Sequence, residues 1–461
     1  CDAGAFPDAP SGAKSIAYAS AACPSAGADG TKEHPFPTIT AAIAKAGHGG
    51  TVLVAAGTYR ENLSIDDDVA VVGPGAVGQK GDDAGIILQA PNPYAVEVLA
   101  GATATLRGFD VKGAAGVGVW AKGGSADLAE SKIEGTLADG GQVGHGLLAT
   151  DDGAIILQDG AVLGAAGVGV LFSGGKGSVE SSTVSRNAAG GVRLDEASDQ
   201  VTVHDDVIES NASFGVGVFS SVAIILQNQV RDTALDDAMS GDGIVVGAGV
   251  DASGDMLGAA SVTAKGNHVD GSGRVGILCT AGAHGIILQD NVVTASAAAA
   301  PFGAGIWLQE GAGADGDANA ISGNHVTGSR YVGIGMASDT HAIILQDNEV
   351  TGTVSAETIL DVGTAKIGDG LNLFAGASTR ATNNHFEQNG RFGVLIDAAA
   401  ASATSVKDNI IRDNDEYGII LQDQADMPDV AGNHFGGNGP SGHDDTTTVP
   451  AMTYGKPPAA F

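Results

Sequence analysis

The sequence predicts an all-β fold, a parallel β-helix (solenoid) of about 12 or more coils with a short N-terminal capping helix. Two repeated motifs support this prediction. Glycine followed by alternating apolar residues recurs along the chain, and its twelve starts between Gly116 and Gly418 span 302 residues, which is about 27 residues per step. A second motif, apolar-x-x-Asn-x-apolar, follows roughly half a repeat later. A step of this length suits one coil of three short strands.

The asparagines of the second motif predict a ladder at a tight turn. In stacked coils each side-chain amide would bond its neighbour one strand spacing away, about 4.8 Å. Asparagine also tolerates the left-handed backbone that such a turn needs. We interpret the ladder as structural, so it does not identify a ligand. Its predicted members are Asn228, Asn267, Asn291, Asn324, Asn348, Asn384, Asn409 and Asn433.

The chain is predicted to have three regions. Residues 1–50 form an N-terminal anchor and capping segment, residues 51–435 form the β-helix, and residues 436–461 form a tail rich in Gly, Pro and Thr.

The N-terminal segment predicts a strand, a loop, a short apolar helix and a second strand. Its loop and helix read DGTKEHPFPTITAAIAKA from Asp29, and the next strands read GGTVLVAAGTYRENLSI from Gly49. This order resembles the opening of right-handed parallel β-helix proteins of the pectin-lyase-like superfamily. In that family the helix caps the first coil, where it covers strand edges that would otherwise pair with other chains. The resemblance implies a right-handed helix.

The net charge argues against several classes of partner. The chain has 54 acidic and 22 basic residues, a formal charge of −32, which repels nucleic acid. It also weakens encounter with acidic polysaccharides unless calcium bridges the two. No run of 18 apolar residues is present, so no membrane-spanning segment is predicted.

The cysteines predict an exported protein. Cys1 resembles the lipid-carrying first residue of a mature bacterial lipoprotein, which implies lipid attachment at Cys1, contact with a membrane through that lipid, and a location in the outer membrane, in the periplasm or on the cell surface. Cys23 and Cys279 are expected to be unpaired thiols, because they lie far apart in the sequence.

The outward positions of the glycine-led strands predict a binding surface. Enzymes of the resembled superfamily work from one solvent-facing sheet, yet here that row is apolar and aromatic. It could stack on sugar rings, meet another protein, or lie beneath loops of this chain. The predicted binding residues are Trp120, Phe219, Trp307, Phe374, Leu395 and Ile420.

Only one coil places a base and an acid together, at Arg193 and Asp195, and we interpret the pair as a surface ion pair. These two residues are the only catalytic candidates for a lyase. Mannuronan epimerases of the resembled superfamily carry a Tyr-Gly-Phe-Asp-Pro-His type of motif. Here Tyr417-Gly418 continues into Ile419-Ile420, so the acid and the histidine are missing.

No cofactor is expected, and no metal site is assigned. The acid-rich segments Asp315–Asp317 and Asp413–Glu416 could take Ca²⁺, but neither has the EF-hand spacing.

The leading hypothesis is therefore a non-catalytic, surface-anchored β-helix that serves as a scaffold or binding protein for protein subunits or glycans. The alternative is a lyase or epimerase acting on an acidic polysaccharide, which the resemblance alone supports. A third hypothesis is a periplasmic accessory that helps a metalloenzyme mature, for which the sequence has no cluster of metal ligands.

Overall fold

The computed structural model describes residues 1–75, 86–88, 93–139, 143–249, 256–296, 303–313, 319–360, 363–397, 403–422, 428–439 and 446–449. Over these residues the chain is all-β apart from one helix, and it groups into two compact units, Cys1–Asn211 (unit 1) and Ala212–Phe461 (unit 2). Within each unit every coil visits three parallel sheets in turn, which we name A, B and C. Among the described residues, no helix is long and apolar enough to cross a membrane.

The predicted capping helix is present as α1, Ile39–Ala46. The Thr38 side chain caps its first turn by accepting the backbone N–H of Ala41, and the N–H of Gly47 closes the last turn on Ile43 O. The face with Ile39, Ala42 and Ala46 is buried. The helix therefore begins and ends on local signals and packs by one apolar face.

Unit 1 contains eight strands in sheet A, seven in sheet B and six in sheet C. Sheet A comprises β1 (Ile16–Ala19), β2 (Gly50–Val54), β5 (Val69–Val72), β8 (Thr103–Arg107), β11 (Ser125–Ala129), β14 (Ala154–Gln158), β17 (Lys176–Glu180) and β20 (Val201–His204). Sheet B comprises β3 (Gly57–Tyr59), β6 (Ile86–Leu88), β9 (Phe109–Lys112), β12 (Lys132–Glu134), β15 (Ala161–Leu163), β18 (Thr183–Ser185) and β21 (Val207–Glu209). Sheet C comprises β4 (Leu63–Ile65), β7 (Tyr94–Leu99), β10 (Val117–Lys122), β13 (His145–Thr150), β16 (Val170–Ser173) and β19 (Val192–Asp195).

Unit 2 contains seven strands in sheet A, eight in sheet B and nine in sheet C. Sheet A comprises β23 (Val222–Leu226), β26 (Ala260–Lys265), β29 (Ala283–Gln289), β32 (Asn319–Ser322), β35 (Ile343–Gln346), β40 (Thr379–Thr382) and β43 (Ser405–Lys407). Sheet B comprises β24 (Gln229–Arg231), β27 (His268–Asp270), β30 (Val292–Thr294), β33 (His325–Thr327), β36 (Glu349–Thr351), β41 (His385–Glu387), β44 (Ile410–Arg412) and β46 (His434–Gly436). Sheet C comprises β22 (Ser213–Phe219), β25 (Gly241–Gly247), β28 (Val275–Cys279), β31 (Ala304–Leu308), β34 (Val332–Met336), β39 (Asp369–Leu373), β42 (Phe392–Asp397), β45 (Tyr417–Gln422) and β47 (Thr446–Val449). An antiparallel hairpin, β37 (Ala356–Leu360) and β38 (Gly363–Ile367), is inserted before β39.

The core of each unit is built from the inward side chains of its strands. Strand β14 is representative, because Ile155 and Leu157 are fully buried while Ile156 and Gln158 face outward. Each coil buries such residues on all three sheets, so neighbouring coils form one continuous apolar core. The predicted parallel β-helix fold, with its dozen or more coils and one short helix, is confirmed.

The eight predicted asparagines lie in one line along unit 2, at the turn from sheet A to sheet B. The backbone N–H and the side-chain Nδ2 of each rung both donate to Oδ1 of the next, over 2.9 to 3.0 Å. Every rung from Asn228 to Asn409 is at most 1% exposed. The residue before each of the eight rungs, for example Asp290 before Asn291, has a left-handed φ.

A second ladder, which the sequence analysis missed, occupies the turn from sheet B to sheet C. In unit 1 Asn187 bonds Asn211, and in unit 2 Asn389, Asn414 and Asn438 are bonded in series. The glycine of the glycine-led motif faces this turn. At Gly370 and Gly393 an added Cβ would meet a ladder amide at 2.7 and 2.8 Å. The glycine repeats because the backbone approaches this turn too closely for any side chain.

This explanation predicts a steep penalty for Gly305→Ala. An alanine Cβ there would lie 2.3 Å from Val326 Cγ1 and 2.7 Å from Ser329 Oγ, so strands β31 and β33 must move apart. Overpacking of this kind destabilises folded proteins by about 1–3 kcal/mol. Gly436 is the matched control, because a Cβ there meets nothing within 4 Å. Thermal unfolding should give a clear loss for Gly305→Ala and almost none for Gly436→Ala. Equal melting temperatures would contradict the close-approach explanation.

Strands occur in both terminal regions, in the N-terminal segment as predicted and also within the predicted tail. Strand β1 lies within the first 50 residues and pairs with β2 in sheet A. Strand β47 lies within the predicted tail and pairs with β45, with Ile419 opposite Thr446. Both ends of the chain therefore contribute strands to the sheets.

One expectation about the cysteines is wrong. Cys23 is not a free thiol, because it forms a disulfide with Cys1 across a Cα–Cα distance of 5.4 Å. The pairing is local, over 22 residues, and ties the N-terminal segment to the loop after β1. A thioether-linked lipid and this disulfide both use the Cys1 sulfur, so one molecule can have only one of them. Cys279 is a free, buried thiol, as expected.

Candidate functional site

The outward row of sheet C is buried in unit 2, which corrects the prediction of an exposed stripe there. Trp307, Phe374, Leu395 and Ile420 are only 1%, 5%, 1% and 2% exposed. The rings of Trp307 and Phe374 lie 6.4 Å apart, and the indole crosses Gly335 so closely that a Cβ there would be 2.1 Å from it. These side chains therefore pack as part of the interior and do not offer a surface.

Phe219 of unit 2 is half-buried, and its ring meets that of Phe214 edge-on at 5.9 Å. Gly217, and not Phe219, pairs with Val245 of the neighbouring strand. Phe219 therefore lies two residues further along its strand than the row that contains Trp307.

Two buried ion pairs lie on the same covered part of sheet C in unit 2, and the sequence analysis missed both. Arg274 donates two hydrogen bonds to Asp242, and Arg391 donates two to Asp369. Asn372 adds a third donor to Asp369, over 2.8 Å. Each carboxylate is thus neutralised by its own arginine. Sequence spacing offers no signal for these pairs, because their partners are 32 and 22 residues apart.

The outward face of sheet C remains accessible in unit 1, where it forms two parallel rows. Cross-strand register places two outward side chains on each of four successive coils, so that they form a first row and a second, polar row. All of them are half-buried except Leu148, which is buried, and Lys122, which is exposed. We call these eight residues the open face. The first row is Trp120, Leu148, Leu171 and Arg193, of which the first three are apolar, and the polar row is Lys122, Thr150, Ser173 and Asp195.

Trp120 is the anchor of the open face. Its Nε1 donates to Thr150 Oγ1 over 2.9 Å, which fixes the indole to the neighbouring coil. The Lys122 ammonium lies 4.9 Å from the ring centroid, a cation–π distance. The indole is therefore held in place while part of it remains accessible to solvent.

Arg193 and Asp195 form the predicted ion pair at the far end of the open face. Arg193 Nε donates to Asp195 Oδ2 over 2.9 Å, and the two side chains are 40% and 15% exposed. Burial raises the pKa of Asp195, while attraction to Arg193 and a hydrogen bond from Ser173 act against the rise. His145 lies nearby, and burial, with the Arg193 charge, lowers its pKa.

A second carboxylate, Glu97, pairs in register with Trp120 at the opposite end of the open face. Glu97 on β7 and Asp195 on β19 are separated by four strand spacings, about 19 Å. Paired carboxylates that cleave glycosidic bonds lie less than about 10 Å apart. Glu97 and Asp195 are therefore too far apart to act together as the carboxylate pair of a glycoside hydrolase.

The described residues contain no group of three or more His, Cys, Asp or Glu side chains that could hold a metal ion. Asp315–Asp317, one of the two predicted calcium segments, lies outside the described residues. In the other segment, Asn414 is a rung of the second ladder and so is not available to a metal.

A surface groove lies on sheet A of unit 2, beside the turns that lead into β35 and β40. Asp339, His341, Ile344, Thr379 and Arg380 contribute to its walls. None of the predicted binding residues lines it.

The sequence matches the family described as right handed beta helix region, over residues 91–293 and 247–438. The matched residues cover well over half of the chain, so the protein belongs to this family, and the predicted handedness is confirmed. No curated protein matches the sequence.

Several solved structures are similar to the chain at low sequence identity. The Dettilon tailspike protein is 16% identical with a TM-score of 0.47, covering 72% of this chain and 66% of its own. A GH87 α-1,3-glucanase catalytic unit from Streptomyces thermodiastaticus is 15% identical (TM-score 0.48; 96% and 71% covered), and a mannuronan C-5 epimerase A-module from Azotobacter vinelandii is 15% identical (TM-score 0.44; 90% and 94% covered). The chain spans just under two thirds of the tailspike. With TM-scores below 0.5, these likenesses carry no argument about activity.

Proposed function

We propose that the chain is a non-catalytic, exported binding protein and that the open face of unit 1 binds a glycan. The observation that carries this proposal is the half-buried Trp120 indole, set in register beside a row of polar side chains on successive coils. An aromatic face stacks on the apolar face of a sugar ring, while hydroxyl and charged side chains bond its hydroxyl groups. A mainly apolar row beside a polar row therefore offers the contacts that a sugar requires.

The repeat of the polar row supports a polymeric ligand. Thr150, Ser173 and Asp195 follow one another at one strand spacing, about 4.8 Å. A sugar unit of a chain has a similar length, so successive units can meet equivalent side chains. Because the β-helix holds these groups on strands, little ordering entropy is lost on binding.

The arrangement of charges supports binding without chemistry. Arg193 is engaged by Asp195, so the base that the sequence analysis named as a lyase candidate is held in an ion pair. An arginine paired in this way is a poor proton acceptor. This reasoning favours a binding protein over the lyase alternative that the superfamily resemblance implies.

Export is part of the proposal, because the Cys1–Cys23 disulfide is of a kind that persists in oxidising compartments. Lipid attachment at Cys1 and location in the outer membrane stay predictions. The lipid requires that Cys1 is not in the disulfide.

The proposal predicts that Trp120→Ala weakens glycan binding by about tenfold or more, the usual effect of removing a central aromatic anchor. The test is an array of neutral and uronate-containing oligosaccharides, followed by calorimetric titration of any ligand found. Ile224→Ala is the matched control, since Ile224 is 44% exposed on sheet A of unit 2 and lies off the open face.

Unchanged affinity in Trp120→Ala, or no glycan bound by the wild-type chain, would contradict the proposal. A wild-type chain that binds no glycan but assembles through the open face would support protein subunits as partners instead.

A further inference from the structure

The turn from sheet A to sheet B in unit 1 carries the counterpart of the asparagine ladder, built from other residues. Ser182 Oγ accepts the backbone N–H of Gly160 over 3.0 Å, and Asp206 Oδ1 accepts the backbone N–H of Ser182 over 2.7 Å. In unit 2 the same bond is made by asparagine, as when Asn291 Oδ1 accepts the N–H of Asn267. Asp206 therefore occupies a rung position with one oxygen in the acceptor role of an asparagine.

The second atom of a rung has to be a donor. Asn291 Nδ2 bonds the carbonyl of Ala264, which lies three residues before the preceding rung, Asn267. Asn324 Nδ2 bonds Leu288 O at the same offset from Asn291. If Asp206 follows the offset of these asparagine rungs, its second oxygen lies toward the carbonyl of Val179. Two oxygens in that arrangement repel each other unless a proton lies between them.

The surroundings of Asp206 favour the protonated form. The residue is 1% exposed, and burial raises the pKa of its carboxyl to about 7, with Asp205 and Glu180 adding to the rise. The Ser182 N–H and the His204 ring act in the opposite direction. Since Asp206 already accepts the Ser182 N–H, a proton on its other oxygen gives it the donor and acceptor pattern of asparagine.

We propose that Asp206 is a proton-dependent ladder rung, which makes the packing of β20–β21 on β17–β18 sensitive to pH. The protonated acid completes the ladder, whereas the carboxylate places a buried charge against a backbone carbonyl. The folded chain holds this proton more tightly than the unfolded chain, whose pKa is about 4. The stabilisation is therefore complete below about pH 4 and is lost as the pH rises through about 7.

The test compares wild type with Asp206→Asn by thermal unfolding between pH 5 and pH 9. We expect the wild-type melting temperature to fall by on the order of 5 °C between pH 5 and about pH 7 and then to level off, and the asparagine variant to fall much less and to exceed wild type at pH 8.5. Hydrogen exchange at the Ser182 amide should quicken over the same range in wild type, beyond the intrinsic effect of base, but not in the variant. The two measurements report global and local loosening respectively.

Two controls isolate Asp206 from its titrating neighbours. His204 is hydrogen-bonded to Asp205, a bond that raises the pKa of His204, and the loss of this pair on deprotonation also destabilises the chain at high pH. His204→Gln and Asp205→Asn should therefore keep the fall in melting temperature. The proposal is overturned if Asp206→Asn keeps the wild-type pH dependence, if it is less stable than wild type at pH 8.5, or if His204→Gln alone removes the fall. Asp206→Ser, which has the same residue type as the rung at Ser182, should also show a much smaller fall in melting temperature than wild type.

Discussion

Replacing Asn324 with leucine should destabilise unit 2 by at least about 3 kcal/mol, because the change leaves several buried polar groups without partners. Oδ1 of Asn324 accepts both the backbone N–H and the Nδ2 of Asn291, over 3.0 and 2.9 Å. Its Nδ2 donates to Leu288 O and to Asn348 Oδ1, each over 2.9 Å. Leucine has a similar volume but can replace none of these bonds.

Chemical denaturation followed by circular dichroism measures this loss. His325→Ala is the matched control, since His325 is the next residue and its side chain, 41% exposed, makes only a surface pair with Glu349. We expect a change within about 0.5 kcal/mol there. A loss below about 1 kcal/mol for Asn324→Leu would mean that the ladder does not hold the coils together.

Trp307→Ala should cost about 3–5 kcal/mol of stability, the usual loss for removing a buried aromatic side chain. Trp307 is 1% exposed, its indole N–H donates to Gln309 Oε1 over 2.9 Å, and its ring packs on Phe374. From the sequence, Trp307 is a predicted binding residue in an outward row that could also lie beneath loops. Its burial argues against a binding role and predicts that its loss lowers stability.

The chain has two tryptophans, which makes the comparison direct. Trp120→Ala removes the half-buried one on the open face, and we expect a smaller loss of stability from it than from Trp307→Ala. In each variant the remaining tryptophan reports unfolding by fluorescence. A larger loss from Trp120→Ala would contradict the assignment of buried and open parts of sheet C.

The sequence was sufficient to predict the fold and the first ladder because both follow from periodicity. Asparagines such as Asn267 and Asn291 recur at the same position of successive repeats. In stacked coils, residues at the same position of the repeat become neighbours. The second ladder was missed because its row is interrupted. Between Asn211 and Asn389 the equivalent turns carry serine or threonine, for example Ser296, so no single residue type repeats.

The candidate site was only partly predictable, because periodicity tells which side chains point away from the core but not which of them are covered. Trp120 and Trp307 occupy equivalent outward positions, yet one is half-buried and the other buried. The difference depends on packing with neighbours such as Gly335, which alternation in the sequence does not encode. The disulfide was missed for a similar reason, since its closure depends on how the segment after Cys1 folds back.

The most direct test of the claim that the protein binds a glycan without catalysing a reaction is to recover the glycan after incubation with the protein. An oligosaccharide selected on the array would be titrated against wild type and Trp120→Ala, and the recovered sugar analysed by mass spectrometry. We predict saturable binding that weakens in Trp120→Ala and a sugar recovered unchanged. A shortened sugar with an unsaturated end, produced by wild type and absent with Arg193→Gln, would contradict the account and identify the protein as a lyase.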